Sequence, residues 1–231
     1  MSRIRLAFAA LALLVASLSI LAVGCDGGEG GVEPTPVPSK FEEQLRRMVL
    51  QAEDVPSGFT VVDEEFSTNQ DVVNQAADPE AELAKLLQRG RILGYEVTYE
   101  PGEAIGSGET IIFSLNSAAS IYQSPDGAAA SFADTAAEAR ATDWVQFFDG
   151  VENIVVDELP APAVAADEIL WLRVRGNAKV GEQTFAHDVV LLRTGAARGT
   201  LQAGSFGTEE GKEFIEGLIR AQAEHMLTAV P

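Results

Sequence analysis

The residues able to do chemistry are few and scattered. Cys25 is the only cysteine in the 231-residue chain. His187 and His225 fall in different predicted elements and belong to no His-x-x-x-His or Cys/His array, so no zinc or other metal site is expected. No Gly-x-Ser-x-Gly elbow, Walker loop, dinucleotide glycine fingerprint or EF-hand loop occurs, so no cofactor is implied. Gly106-Ser107-Gly108 has no following lysine and no strand-to-helix context, and reads as a hairpin turn. Asp63-Glu64-Glu65 falls on a predicted strand, where successive side chains point to opposite faces, so the three carboxylates do not converge. A glycosidase-type carboxylate pair needs no short motif. With 35 acids in the chain, enzyme activity therefore stays open, and no catalytic residue is named. One local excess stands out. Residues 173–198 hold Arg173, Arg175, Lys179, Arg193 and Arg198 against only Glu182 and Asp188. On a regular strand Trp171, Arg173 and Arg175 share a face. Together with Arg193 they are the candidate ligand-binding residues: guanidinium forks beside an aromatic plate suit an anion. The competing reading is a wet sheet face whose arginines pair with nearby acids. Trp144, Phe147 and Phe148 form an aromatic group that could line a pocket and more ordinarily builds core.

Cys25 takes its meaning from what precedes it. Met1–Arg5 carries two arginines and no acid, and Leu6–Val23 is almost wholly apolar. The run ends in the small residues of Ala22-Val23-Gly24-Cys25 and passes into Asp26-Gly27-Gly28 with no basic stop-transfer cluster. A secretory signal fits this better than a transmembrane helix. Leu21-Ala22-Val23-Gly24-Cys25 resembles the lipobox of bacterial lipoproteins, with Ala22 at the position where that family usually has leucine. The resemblance implies diacylation of the Cys25 thiol and cleavage just before it. Residues 1–24 are then a signal peptide, and Cys25 tethers the protein to the extracytoplasmic side of the cell membrane. Two acyl chains supply the two hydrophobic signals that stable anchoring requires. Residues 25–39, rich in glycine and proline, read as an extended tether.

Residues 40–231 suffice for one globular domain, and no second linker is visible. The chain carries a formal charge of −19, and the leader holds two of its basic residues and no acid. A chain this acidic repels nucleic acid and anionic lipid headgroups.

The elements that must position any site follow in order. Phe41, Leu45, Met48, Val49 and Ala52 recur at helical spacing. Phe59–Phe66 reads as a strand. Asp78-Pro79-Glu80 starts a helix that Arg89-Gly90-Arg91 closes with positive charge and glycine. Ile92–Glu100 and Glu109–Tyr122 are strands. Ser124-Pro125-Asp126 opens an alanine-rich helix to Ala141. Val151–Leu159 is a further strand. Ile169–Arg175, Gln183–Arg193 and Gly199–Ala203 form a meander with turns at Gly176–Gly181 and Thr194–Arg198. Thr208-Glu209-Glu210 caps a last amphipathic helix.

This order predicts an α+β domain: a mostly antiparallel sheet covered by helices, with amphipathic helices at both ends. The helix-led start at Phe41–Gly58, the joint Ile121–Ala128 and the closing meander plus helix are similar to PsbP-like domains of exported actinobacterial lipoproteins. That resemblance carries over no catalytic residue. The expected function is a membrane-anchored extracytoplasmic module for ligand binding or protein interaction. Its partner is a small amphiphilic or anionic ligand or an envelope protein, not nucleic acid. A surface hydrolase with paired carboxylates and a structural accessory subunit of an envelope complex are the alternatives.

Overall fold

The computed structural model describes residues 39–102, 111–179, 183–206 and 211–230. The leader, Cys25, most of the tether, the Gly106 turn and the Thr208 cap lie outside them. The fold is α+β. Seven strands form one fully antiparallel sheet: β1 (Phe59–Ser67), β2 (Arg91–Pro101), β3 (Ile111–Tyr122), β4 (Val151–Glu158), β5 (Glu168–Ala178), β6 (Thr184–Thr194) and β7 (Ala197–Phe206). Their spatial order is β1-β2-β3-β7-β6-β5-β4. Two meanders, β1–β3 and β4–β7, thus meet at the central β3–β7 pair. The described helices are α1 (Ser39–Met48), α2 (Asn69–Gln75), α3 (Pro79–Arg89), α4 (Pro125–Ala141), α5 (Trp144–Phe147) and α6 (Gly211–Ala229). Among the described residues no helix is long and apolar enough to cross a membrane.

The helix ends follow from local chemistry. Asp78 accepts from the Ala81 amide at the start of α3. The helix stops at Gly90, whose φ of 66° is left-handed and is cheap only for glycine. Ser124 caps α4 through the Gly127 amide, 3.2 Å away. Gly127 has a second reason to be glycine, since a Cβ there would collide with the Arg89 carbonyl. Helix α2 has no counterpart in the sequence expectation. It is seven residues long and is held by a capping box, in which Thr68 Oγ1 accepts from the Asp71 amide and Asp71 accepts from the Thr68 amide.

Three boundaries differ from the sequence reading. Helix α1 ends at Met48, although its apolar periodicity runs on to Ala52. Leu50 is tied to the sheet instead: its amide donates to Ser117 Oγ, 3.0 Å, and its carbonyl accepts from Tyr99 OH, 2.8 Å. Strand β5 runs through Gly176, where a turn was expected. A side chain there would meet Val151 and the Glu152 carbonyl of β4, so glycine lets the edge strand close in. The β6–β7 turn is tighter than expected. Arg193 pairs with Arg198 and Thr194 with Ala197 in register, which places Arg198 on a strand.

The two sheet faces differ. Helices α1 and α6 cover one face over Tyr95, Val97, Leu115, Trp171, Val190 and Leu201, all buried. The other face is split. Toward β5 and β6 it is dry, with Phe132 and Ala136 of α4 on Leu170, Leu172 and Leu191. Trp144 and Phe148 join Val174, Phe185 and Phe206 beside them, so these two of the aromatic group are core, while Phe147 is exposed. Toward β2, β3 and β7 the same face is polar, and the helices α2, α3 and α4 leave it open.

Candidate functional site

That polar half is the floor of a cleft of about 710 Å³, walled by α2, α3 and α4. Strand alternation puts Glu96 of β2, Asn116, Ala118 and Ser120 of β3, and Arg198, Thr200 and Gln202 of β7 on this floor. At one end lies Arg91, the first residue of β2 and only 8% exposed. Its guanidinium lies back over Gly94. A Cβ at Gly94 would collide with Nη2 of Arg91 and would sit 2.7 Å from Ser67 Oγ. Arg91 donates to the Ser67 carbonyl (3.0 Å), Ser67 Oγ (2.7 Å) and Asn69 Oδ1 (3.1 Å). None of these acceptors is charged.

Arg198 is its neighbour across the floor. Nη1 donates to Ser131 Oγ at 3.0 Å and to Thr135 Oγ1, both on α4. Ser131 also shares a 2.7 Å hydrogen bond with Tyr122 OH. Nε of Arg198 is buried without a hydrogen-bond partner. Burial presses the Arg91 guanidinium below its usual range; Tyr122 and, more weakly, the carboxylates of Asp71 and Glu82 oppose that shift, and the positive field of Arg198 adds to it. Asp71 lines the same cleft, but its carboxylate is held low by the Thr68 side chain and amide that it caps.

The opposite lip is acidic. Glu65 and Glu96 are directly paired across β1 and β2, and strand alternation puts Asp63 on the same face. Partial burial raises the Glu96 carboxyl, the Asn116 amide opposes this, and Glu65 and Asp63 add to the rise. Glu64 points to the other face, where Tyr95 OH donates to it at 2.6 Å and Arg46 lies at 3.2 Å. Tyr95 first and Arg46 next hold its carboxyl below the ordinary range. The acidic triplet is thus divided between faces, and Glu96 was not singled out beside it.

The four residues proposed from sequence lie elsewhere. Trp171, Arg173 and Arg175 share a face as strand alternation requires, but it is the face that α6 covers. Trp171 is fully buried. Its Nε1 donates to Asp188 Oδ1 at 2.6 Å, and Arg173 grips both oxygens of the same carboxylate at 2.8 and 2.9 Å. Arg175 pairs with Asp157 at 2.6 Å. Arg193 lies on the opposite face and pairs with Asp167 and Glu168. These side chains do not converge on one cleft, and each arginine already holds a carboxylate. The histidines are also apart: His187 is buried beside Trp144 and Phe148, while His225 Nε2 lies 2.7 Å from Asp54 Oδ2. Among the described residues no three His, Cys, Asp or Glu side chains are grouped as metal ligands.

No family model matches the chain, and no curated protein does. Among solved structures, the extracellular domain of PknH from Mycobacterium tuberculosis is similar at a TM-score of 0.46 and 10% identity, over 83% of this chain and 98% of that one. A likeness at that level does not establish a shared fold or activity.

Proposed function

We propose that this protein is a lipid-anchored extracytoplasmic binding module that holds a small polar ligand in the cleft under α2, α3 and α4. The observation that carries the reading is the cleft itself: about 710 Å³ of space over a hydrogen-bonding sheet floor, walled by three helices. That volume lies within the range of small-molecule sites. The leader and Cys25 support the placement. Native mass spectrometry of the full chain, released gently from its own envelope, tests the binding. The expected result is a reproducible added mass that disappears in Ala118→Trp, which fills the cleft floor. A bare wild-type mass, with no shift on adding envelope extracts, would overturn it. Cys25→Ser tests the anchor: the variant is expected to leave the membrane fraction, and membrane retention of a cleaved variant would refute acylation.

The Glu65–Glu96 pair favours a second reading, a hydrolase acting at the acidic lip. One carboxyl raised beside another is the pattern of an acid and a base with separated roles. Turnover of a glycoside substrate that Glu96→Gln abolishes would establish it. Absence of turnover across polysaccharide substrates of the envelope would remove it.

A further inference from the structure

We propose that the ligand's anchoring group is an oxyanion, a carboxylate or a phosphate, seated between Arg91 and Arg198. This rests on the binding reading above and names the chemistry of that same cleft. Ten arginines lie among the described residues, and eight of them have a carboxylate within 4.0 Å. The two without one are Arg91 and Arg198, and they occupy a single cleft. In a chain with 35 acids against 16 basic residues, an arginine left without a carboxylate is not explained by scarcity.

The surroundings are specific. Serine, threonine, asparagine and backbone groups hold the two guanidiniums in place, and the cleft carboxylates Asp71 and Glu82 reach Arg91 only through their field, without an ion pair. Gly94 supplies the gap in which Arg91 lies. The buried, unpartnered Nε of Arg198 is a donor still lacking its acceptor. Two partly desolvated like charges repel each other, and an anion between them would remove that repulsion and accept from the guanidinium N–H groups that face the cleft. Planar forks suit carboxylate and phosphate oxygens alike. The acidic lip then limits the rest of the ligand. Glu65, Glu96 and Glu138 repel a polyanion and favour a body bearing hydroxyl or amine groups. The class is a small molecule with one terminal oxyanion and a polar, uncharged or cationic remainder.

The test uses the full lipidated chain in mild detergent, titrated calorimetrically at constant ionic strength. Inorganic phosphate and acetate are the two probes. Wild type is expected to bind at least one of them, and the one bound distinguishes phosphate from carboxylate chemistry. Arg198→Gln and Gly94→Ala are each expected to weaken that binding at least tenfold. Arg198→Lys, which keeps the charge and loses the fork, falls between. Arg220→Gln, a charge change on the exposed face of α6, leaves binding unchanged. If Arg198→Gln fails to fold, Arg198→Lys and Gly94→Ala carry the comparison. Equal binding by wild type and the folded cleft variants, or no binding of either probe at millimolar concentration, overturns the oxyanion seat. A neutral carried ligand that Ala118→Trp excludes would then still uphold the cleft as a binding site, whereas no carried ligand of any kind would fail both.

Discussion

Acid should unfold this protein partly through one buried ring. His187 sits on β6 among Trp144 and Phe148, with ring centroids 6.2 and 5.2 Å away. It is 5% exposed, and burial drives its pKa down from 6.5 to about 4. The folded state therefore keeps the imidazole neutral in a range where the unfolded chain protonates it. Between about pH 6.5 and 4 the unfolded state binds more protons, so stability falls as pH falls through that window. At about 1.4 kcal/mol per pKa unit, the loss reaches about 3 kcal/mol near pH 4 and is absent above about pH 7.5. Carboxylates also titrate in this range, so the effect has to be read as a difference. His187→Phe keeps an aromatic ring in the cluster and removes the titration. Urea unfolding of both proteins at pH 7.5, 6, 5 and 4 gives that difference. The variant's offset at pH 7.5 is a constant for packing. On top of it, the variant should gain about 2 kcal/mol on the wild type by pH 5 and about 3 by pH 4. A difference that stays flat within about 0.5 kcal/mol across the series would show that His187 is protonated or solvated in the fold.

Other outcomes follow from packing and buried charge. Asp188→Ala removes the carboxylate, 1% exposed, that Arg173 and Trp171 both hold, and leaves a buried guanidinium unpaired. The expected loss is about 3–5 kcal/mol by chemical denaturation, and a loss under about 1 kcal/mol would mean that water reaches the pair. Gly127→Ala drives a Cβ into the Arg89 carbonyl, where α4 meets the end of α3. It should cost about 1–3 kcal/mol. It should also weaken ligand binding, because the two helices wall the cleft, and a neutral thermal midpoint would refute the tight approach. Tyr95 and Tyr99 are both pushed up to about 12, by burial first in each case. Neither should ionise in the folded protein below about pH 11, so a phenolate absorbance equal to three ionised tyrosines in still-folded protein at that pH would contradict their burial.

Helix starts were legible because their chemistry is local. Asp78-Pro79 and Ser124-Pro125 cap in the structure as their residue types require. Helix α2 was not, since seven residues with Val72 and Val73 show no stripe, and the Thr68–Asp71 box is a two-residue signal among many acids. The antiparallel meander was legible from alternation, and the turn ends were not. Gly176 and Arg198 look like turn residues until a neighbouring strand claims them.

The cleft illustrates why site residues are harder to read than elements. The basic excess over residues 173–198 was visible locally, but a local count cannot find a carboxylate on another strand. Asp157 of β4 meets Arg175, and Asp167 and Glu168 meet Arg193 from ahead of the stretch. Asp188 lies within the stretch, yet only the register of β5 on β6 sets it opposite Arg173. Strand pairing thus accounts for the excess one arginine at a time and leaves Arg198 over. Its counterpart, Arg91, carries no signal of its own, because a cation after a helix-ending glycine is what the helix dipole favours anyway. Only the absence of a side chain at Gly94, three residues on, lets that cation turn back into the cleft. The pairing of strands therefore selects which charges are left to meet a ligand, and that selection is a tertiary property.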